Sequence, residues 1–170
     1  LACALLIYLW VNDELSIDKF HEKDKLLYHI MMHYDNDGII SSGQSTPGLL
    51  AETLVDEIPE VEYAVFSRVV KESKTLSTDN DVIKATGQFA SPNYFNVFTY
   101  KMLQGDKNQV LKDKNAIVLS ESLALKLFKS TENIIGKMVT FQKHKSYQVT
   151  GIFQDIPINS SSRFDFVLSF

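Results

Sequence analysis

The chain opens on an uncharged, almost wholly apolar run, Leu1 to Trp10 (LACALLIYLW), and passes abruptly into VNDELSIDKFHEK, where Asp13, Glu14, Asp18, Lys19, Glu22 and Lys23 crowd together. A core helix keeps its apolar residues on one side. Here they are unbroken and then stop, which reads as the outer end of a membrane helix. Tyr8 and Trp10 carry the amphipathic rings favoured at the headgroup level. The run is shorter than the roughly 20 apolar residues that cross a bilayer. It is therefore either the end of a membrane helix cut inside its span or an ordinary buried segment. No basic region precedes it and no small-residue cleavage site follows, which argues against a secretory signal. Cys3 does not close the run, as a lipidated cysteine would.

Beyond the exit, Ser16 is placed to cap a short helix carrying Ile17, Phe20 and Leu27 on one side, with Asp18 in its first turn near the positive helix end. Tyr28 to Tyr34 alternates as a strand does, and the sequence DNDG at Asp35 to Gly38 is turn chemistry. Thr46-Pro47 predicts a helix start, because proline fits the first helical position. Leu49, Leu50, Thr53 and Leu54 would form that helix's buried face, and Ile58-Pro59 stops it. Val61 to Val70, Lys74 to Ser77 and Val82 to Ala90 are strand candidates. In the last, Ile83, Ala85 and Phe89 alternate with Lys84, Thr86 and Gln88, which predicts one wet face.

Ser91-Pro92 opens another short helix, with Tyr94, Phe95 and Phe98 as an aromatic cluster, and a loop follows around Gly105-Asp106. Ala116 to Leu119 reads as a buried strand running into Ser120, which caps a helix with Leu123, Ala124, Leu127 and Phe128 as its apolar stripe. Gly136 ends that excursion. Val139 to Gln142 and Tyr147 to Phe153 form a hairpin around Lys143 to Ser146, and Phe164 to Leu168 is a last strand. Only two helices sit where parallel crossovers could. The fold class is therefore α+β, a mixed and largely antiparallel sheet with a few short helices in two lobes.

Net charge is −4 with acids and bases interspersed, which excludes the concentrated basic stripe of a nucleic-acid footprint. The single cysteine permits no internal disulfide. Gly136-Lys137-Met138 lacks the loop and hydroxyl of a phosphate-binding motif. His29 and His33 would share one strand face, with His21 nearby, but no further ligand is spaced to complete a metal site. DNDG lacks the distal Glu of a calcium loop. Ser120, Ser122 and Lys126 are better explained as a cap and a solvated helix side than as a catalytic pair. No catalytic, cofactor or metal residue is expected in this chain.

Several stretches together resemble one family. These are DELSIDKFHEK at Asp13 to Lys23, TPGLLAETL at Thr46 to Leu54, FASPNYFNVF at Phe89 to Phe98 and MLQGD at Met102 to Asp106. They continue in NAIVLSESLALKLF at Asn115 to Phe128, IGK at Ile135 to Lys137 and VTGIFQDIPINSSSRFDFVLSF at Val149 to Phe170. In this order they resemble the extracytoplasmic core domain of MacB-like (FtsX-type) ABC transporter permeases. The resemblance implies that residues 1–11 end the first transmembrane helix and that 12–170 belong to a periplasmic core domain, cut at its C-terminus. It further implies an inner-membrane protein with this domain in the periplasm. Independently of the resemblance, the helix-to-strand units at Thr46 to Val70 and Ala116 to Gln142 point to two similar halves with a β-rich lobe inserted between them, roughly 71–112. The partners that the resemblance implies are an ABC ATPase subunit that binds ATP, a second permease copy in a dimer, and a periplasmic adaptor or substrate protein. ATP-driven helix movement would be transmitted outward to export or release substrate.

The exit sequence suits that role, since no Gly or Pro lies between Leu1 and Asp37 and a flexible tether would absorb displacement. Val11, Asp13, Glu14, Ser16 and Phe20 are accordingly the expected mechanical joint, with Tyr8 and Trp10 at the membrane interface. An extracytoplasmic ligand-sensing domain of a membrane receptor is the alternative. A membrane-anchored hydrolase is a third reading, without a credible nucleophile and base.

Overall fold

The computed structural model describes residues 1–170, the Lys71 side chain excepted. Helix α1 (Ala2–Ser16) runs through the change from apolar to charged sequence without a break. Ser16 closes this helix and does not open a new one, contrary to the capping role expected for it. Its hydroxyl donates to the Asp13 carbonyl at 2.7 Å, which satisfies one of the last-turn acceptors that any helix leaves free. A single 3-10 turn at Asp24–Leu26 follows.

The expected strand over Tyr28 to Tyr34 begins late, as β1 (Met32–Asn36), and turns back into β2 (Ile39–Gly43). Asp37 and Gly38 both have positive φ, 53° and 83°, as a two-residue hairpin turn of this hand requires. The Asp35 carboxylate accepts the Gly38 N–H at 2.9 Å. Helix α2 (Leu50–Glu57) starts three residues beyond Pro47, whose carbonyl accepts the Leu50 N–H at 3.1 Å. Its expected buried face is not buried: Leu49 is exposed, Thr53 is exposed, and Leu50 and Leu54 are only half-buried. An amphipathic stripe declares which side is apolar, but burial needs a surface to lie against.

Residues 61–66 form no strand. The candidates at Val61 to Val70 and Lys74 to Ser77 merge into one long strand, β3 (Ser67–Ser77), with a register shift between Val70 and Lys74. Strand β4 (Val82–Ala90) has the expected bounds. There follow α3 (Tyr94–Val97), an unexpected short β5 (Met102–Gln104), β6 (Ala116–Ser120), α4 (Glu121–Phe128), β7 (Met138–Phe141), β8 (Lys145–Phe153) and β9 (Phe166–Ser169).

Strands β1 and β2 pair only with each other, whereas β3 to β9 form one sheet in the order β5-β8-β6-β9-β4-β3-β7. Because β7 also pairs with β8, six of these strands close a circuit, and β5 adds to the end of β8. The circuit is narrow at β3–β7, where Leu76 opposes Phe141 and Ser77 opposes Thr140. Among the described residues β4–β9 and β6–β8 are parallel and the other pairings antiparallel. The mixed, largely antiparallel α+β fold read from the sequence is the one found. The segment 71–112 supplies most of β3 together with β4, α3 and β5, all joined to this sheet or packed on it.

All five residues of β6 are buried, which explains its unbroken apolar run: a strand covered on both faces has no wet side to alternate with. Ile117 and Leu119 pack with Leu123, Ala124 and Leu127 of α4. Val118 points the other way, to Tyr94, Phe95, Tyr100 and Phe153. Ser120 caps α4 as expected, accepting the Leu123 N–H at 3.2 Å. Gln88, predicted on a wet face, is buried because Tyr94 of α3 comes down beside it. A Cβ on Gly87 would run into the Phe166 ring, so only glycine lets β4 and β9 approach as they do.

Candidate functional site

The chain's one expected functional feature, the exit from the helix, becomes a structured junction. Tyr8 and Trp10 lie on the surface of α1, as do Leu5, Leu6, Ile7 and Leu9. Val11, Asp13 and Glu14 are exposed residues of the same helix and Ser16 is its half-buried end, so these four sit on one rigid element. Phe20 lies beyond the helix, half-buried, with its ring centroid 6.1 Å from that of Tyr100.

Two residues to which the sequence assigns other roles, Asp18 as a first-turn acid and His21 as a neighbour of a possible metal site, hold the junction together. Asp18 adopts a left-handed conformation, φ 58°, which short polar side chains tolerate better than most. The turn brings its main chain and side chain against the loop before β9. The Asp18 N–H donates to the Asn159 carbonyl at 3.0 Å, and Asn159 Nδ2 donates back to the Ser16 carbonyl at 2.9 Å. The Asp18 carboxylate accepts from the Ser161 N–H at 2.9 Å, from the Ser160 hydroxyl at 3.3 Å and from the Ser161 hydroxyl. Burial pushes the Asp18 pKa up, but the Ser161 and Ser160 hydrogen bonds and nearby His21 outweigh it, leaving the carboxyl below its ordinary value.

His21 is the second. It is 7% exposed and, among the described residues, the only buried side chain before Leu76. Its Nδ1 accepts the Thr99 N–H at 3.1 Å, and the Glu22 N–H donates to the Thr99 hydroxyl at 3.1 Å. The imidazole packs edge-on to Tyr100, centroids 5.3 Å apart, and also against Phe20 and Phe98. Burial lowers its pKa, against the pull of the Asp18 and Asp24 carboxylates. An Nδ1 that accepts a backbone N–H cannot also carry a proton, so the geometry likewise calls for the neutral ring. Ion pairs Lys19–Asp24 at 2.7 Å and Lys23–Glu62 at 2.6 Å complete the outer side.

Between the turn and the sheet lies a half-open cleft of about 400 Å³ lined by Asp18, His21, Gln88, Tyr94 and Tyr100 among others. The Gln88 Nε2 has no hydrogen-bond partner of ordinary geometry among the described residues, although the Tyr94 hydroxyl is its neighbour. Burial raises the pKa of both tyrosines, so they stay neutral donors.

The remaining candidates fall apart in space. His29 precedes β1, outside any strand, while His33 shares a 2.8 Å hydrogen bond with Ser42, so the two do not share a strand face. Ser122 is engaged with Asp155 and Lys126 is exposed. The Asp18 latch left a faint trace in the sequence: polar residues at both DELSID and INSSS, too far apart for periodicity to connect.

The exposed apolar helix is docked onto the mixed sheet through the turn at Asp18 and His21. Residues 1–170 match the family model described as the MacB-like periplasmic core domain, and the chain belongs to that family. It is the periplasmic core of a MacB-like ABC transporter permease. Among solved structures, a domain of a putative permease protein from Porphyromonas gingivalis is similar at 28% identity and TM-score 0.59, over 71% of this chain and 55% of that one. The periplasmic region of MacB from Actinobacillus actinomycetemcomitans is similar at 25% identity and TM-score 0.50, over 70% of this chain and 52% of that one. The aligned part thus spans about half the length of these solved domains. No curated protein matches the sequence. Among the described residues no helix is long and apolar enough to cross a membrane.

Proposed function

We propose that this domain transmits movement. It belongs to an inner-membrane permease in which ATP hydrolysis on a separate subunit or domain in the cytoplasm drives export or release of a substrate in the periplasm. The domain itself is non-catalytic. Its partners are the ATPase that binds ATP, a second permease copy, the membrane, and an adaptor or substrate protein on the periplasmic side. Tyr8 and Trp10 sit at the membrane interface, and residues 1–11 form the outer end of the first spanning helix.

The observation that carries the reading is the unbroken passage of α1 from exposed apolar residues to the docked end at Ser16. An apolar helix exposed all round suits lipid and not water. A continuous helix moves as a rod, where a glycine-rich tether would let its ends move independently. Inserting three glycines after Val11 in the full-length protein is expected to leave the domain folded and to abolish transport. Normal export by that mutant at normal expression would overturn the mechanical role.

A further inference from the structure

Resting on that reading, we propose that α1 drives the sheet through a noncovalent latch centred on Asp18, and not through its own covalent continuation. Past Leu27 the chain enters β1 and β2, which pair only with each other, and then α2. No residue of these three elements is fully buried. A push along that route meets an isolated two-stranded ribbon, which has little stiffness of its own.

The latch leads elsewhere. Asp18 holds Ser160 and Ser161, and Asn159 holds the carbonyl of the last helical residue. Four residues past Ser161, Asp165 is fixed on both sides: its N–H donates to the Thr86 carbonyl at 2.7 Å, and its carboxylate accepts the Thr86 N–H at 2.9 Å. Its own carbonyl accepts the Ser120 N–H at 2.7 Å. The next residue begins β9, which lies between β4 and β6 in the sheet. Displacement of the helix end therefore reaches the middle of the sheet across 143 residues of sequence but only a few side chains. The bond from His21 to Thr99 ties the same turn to the segment after α3 and resists its rotation.

Asp18→Gly separates the latch from the turn, since glycine keeps the positive φ at no steric cost while the carboxylate is lost. Ser161→Ala, at an exposed position, removes one of the three donors to that carboxylate from the other side. Spin labels at the exposed positions Asn12 and Lys84, in full-length copies diluted with unlabelled protein, report whether helix and sheet move as one. The distance distribution is expected to be narrow in the parent and at least twice as broad in Asp18→Gly, with Ser161→Ala and Asp18→Asn in between, because the Ser161 N–H and Ser160 hydroxyl still donate in the one and one carboxamide oxygen still accepts in the other. Thermal unfolding of the Ser161→Ala protein should stay near the parent's, so that a broadening reports coupling and not partial unfolding. Unchanged widths in both variants overturn the latch. The coupling reading is tested apart from it, by labels at Lys84 in the two copies of the reconstituted permease with its ATPase. ATP with vanadate should shift that distance in the parent, and Asp18→Gly should reduce the shift at least twofold. A parent that shows no shift removes the coupling role, whereas a full shift in Asp18→Gly removes the latch alone.

Discussion

Residues 1–66 and residues 67–170 have comparable access to apolar side chains and opposite fates for them. In the first stretch one side chain, His21, is buried among the described residues, and Ile39, Ile40, Leu49 and Tyr28 stand in the open. In the second, apolar residues from seven strands and two helices close into two packed clusters either side of β6. The difference teaches that hydrophobic content does not make a core. Long-range strand pairing does, by giving each apolar face a second surface to meet. The first stretch is fastened to the second by polar contacts at Asp18 and His21, where direction matters more than area, and by Phe20 and Val65 packed against the aromatic cluster.

The largest effect that sharpens this contrast is expected in the sheet. Phe166 is fully buried between the Gly87 gap and the Phe141 ring, and Phe166→Ala should cost about 3–5 kcal/mol in urea unfolding. A loss under about 1 kcal/mol would mean that the cluster around α4 does not set stability.

His21→Leu comes next. It removes the acceptor of the Thr99 N–H and should cost about 1–3 kcal/mol. It should also alter the pH dependence. His21 has a folded-state pKa below its ordinary 6.5, so the unfolded chain binds more protons there and stability falls as pH drops through and below about 6.5. Asp18 and Asp24 face the ring and limit that loss, and Asp18 adds its own only under stronger acid, where its depressed carboxyl is protonated and the latch opens. Unfolding curves at pH 7.5 and 5.5 should diverge less in the variant than in the parent; equal divergence would show that His21 does not titrate on unfolding.

Ser120→Ala removes the cap of α4 and should cost about 1 kcal/mol, read as a shift in denaturation midpoint without a change in slope. Smallest of all, Ile40→Ser on the exposed hairpin should change stability by less than about 0.5 kcal/mol. A loss several times larger would show that the hairpin is covered in solution, and the contrast between the two regions would dissolve.

What was legible in the sequence follows the same division. Ser120 as a cap, DNDG as a turn, Val82–Ala90 as a strand and the hairpin from Val139 to Phe153 are local signals, and each is found. The aromatic group at Tyr94, Phe95 and Phe98 does pack together. Where local chemistry permits two outcomes, the sequence alone does not choose between them. Ser16 is as able to close a helix as to open one, and the alternation at Tyr28 had no neighbouring strand to make it real. The latch was out of reach for a different reason. Asp18 read as a first-turn acid because its true partners lie 143 residues away, and no periodicity carries information over that span. His21, a metal-ligand type by residue chemistry, accepts a backbone N–H instead.

The closed circuit of β8, β6, β9, β4, β3 and β7 leaves few strand borders unclaimed. An unclaimed border is a template for the wrong neighbour, and sealing it protects against fibrous association. The ribbon of β1 and β2 enjoys no such seal, and its isoleucines are in plain view. Accidental polymerisation of residues 1–170 taken alone would be seeded by the ribbon and not the ring.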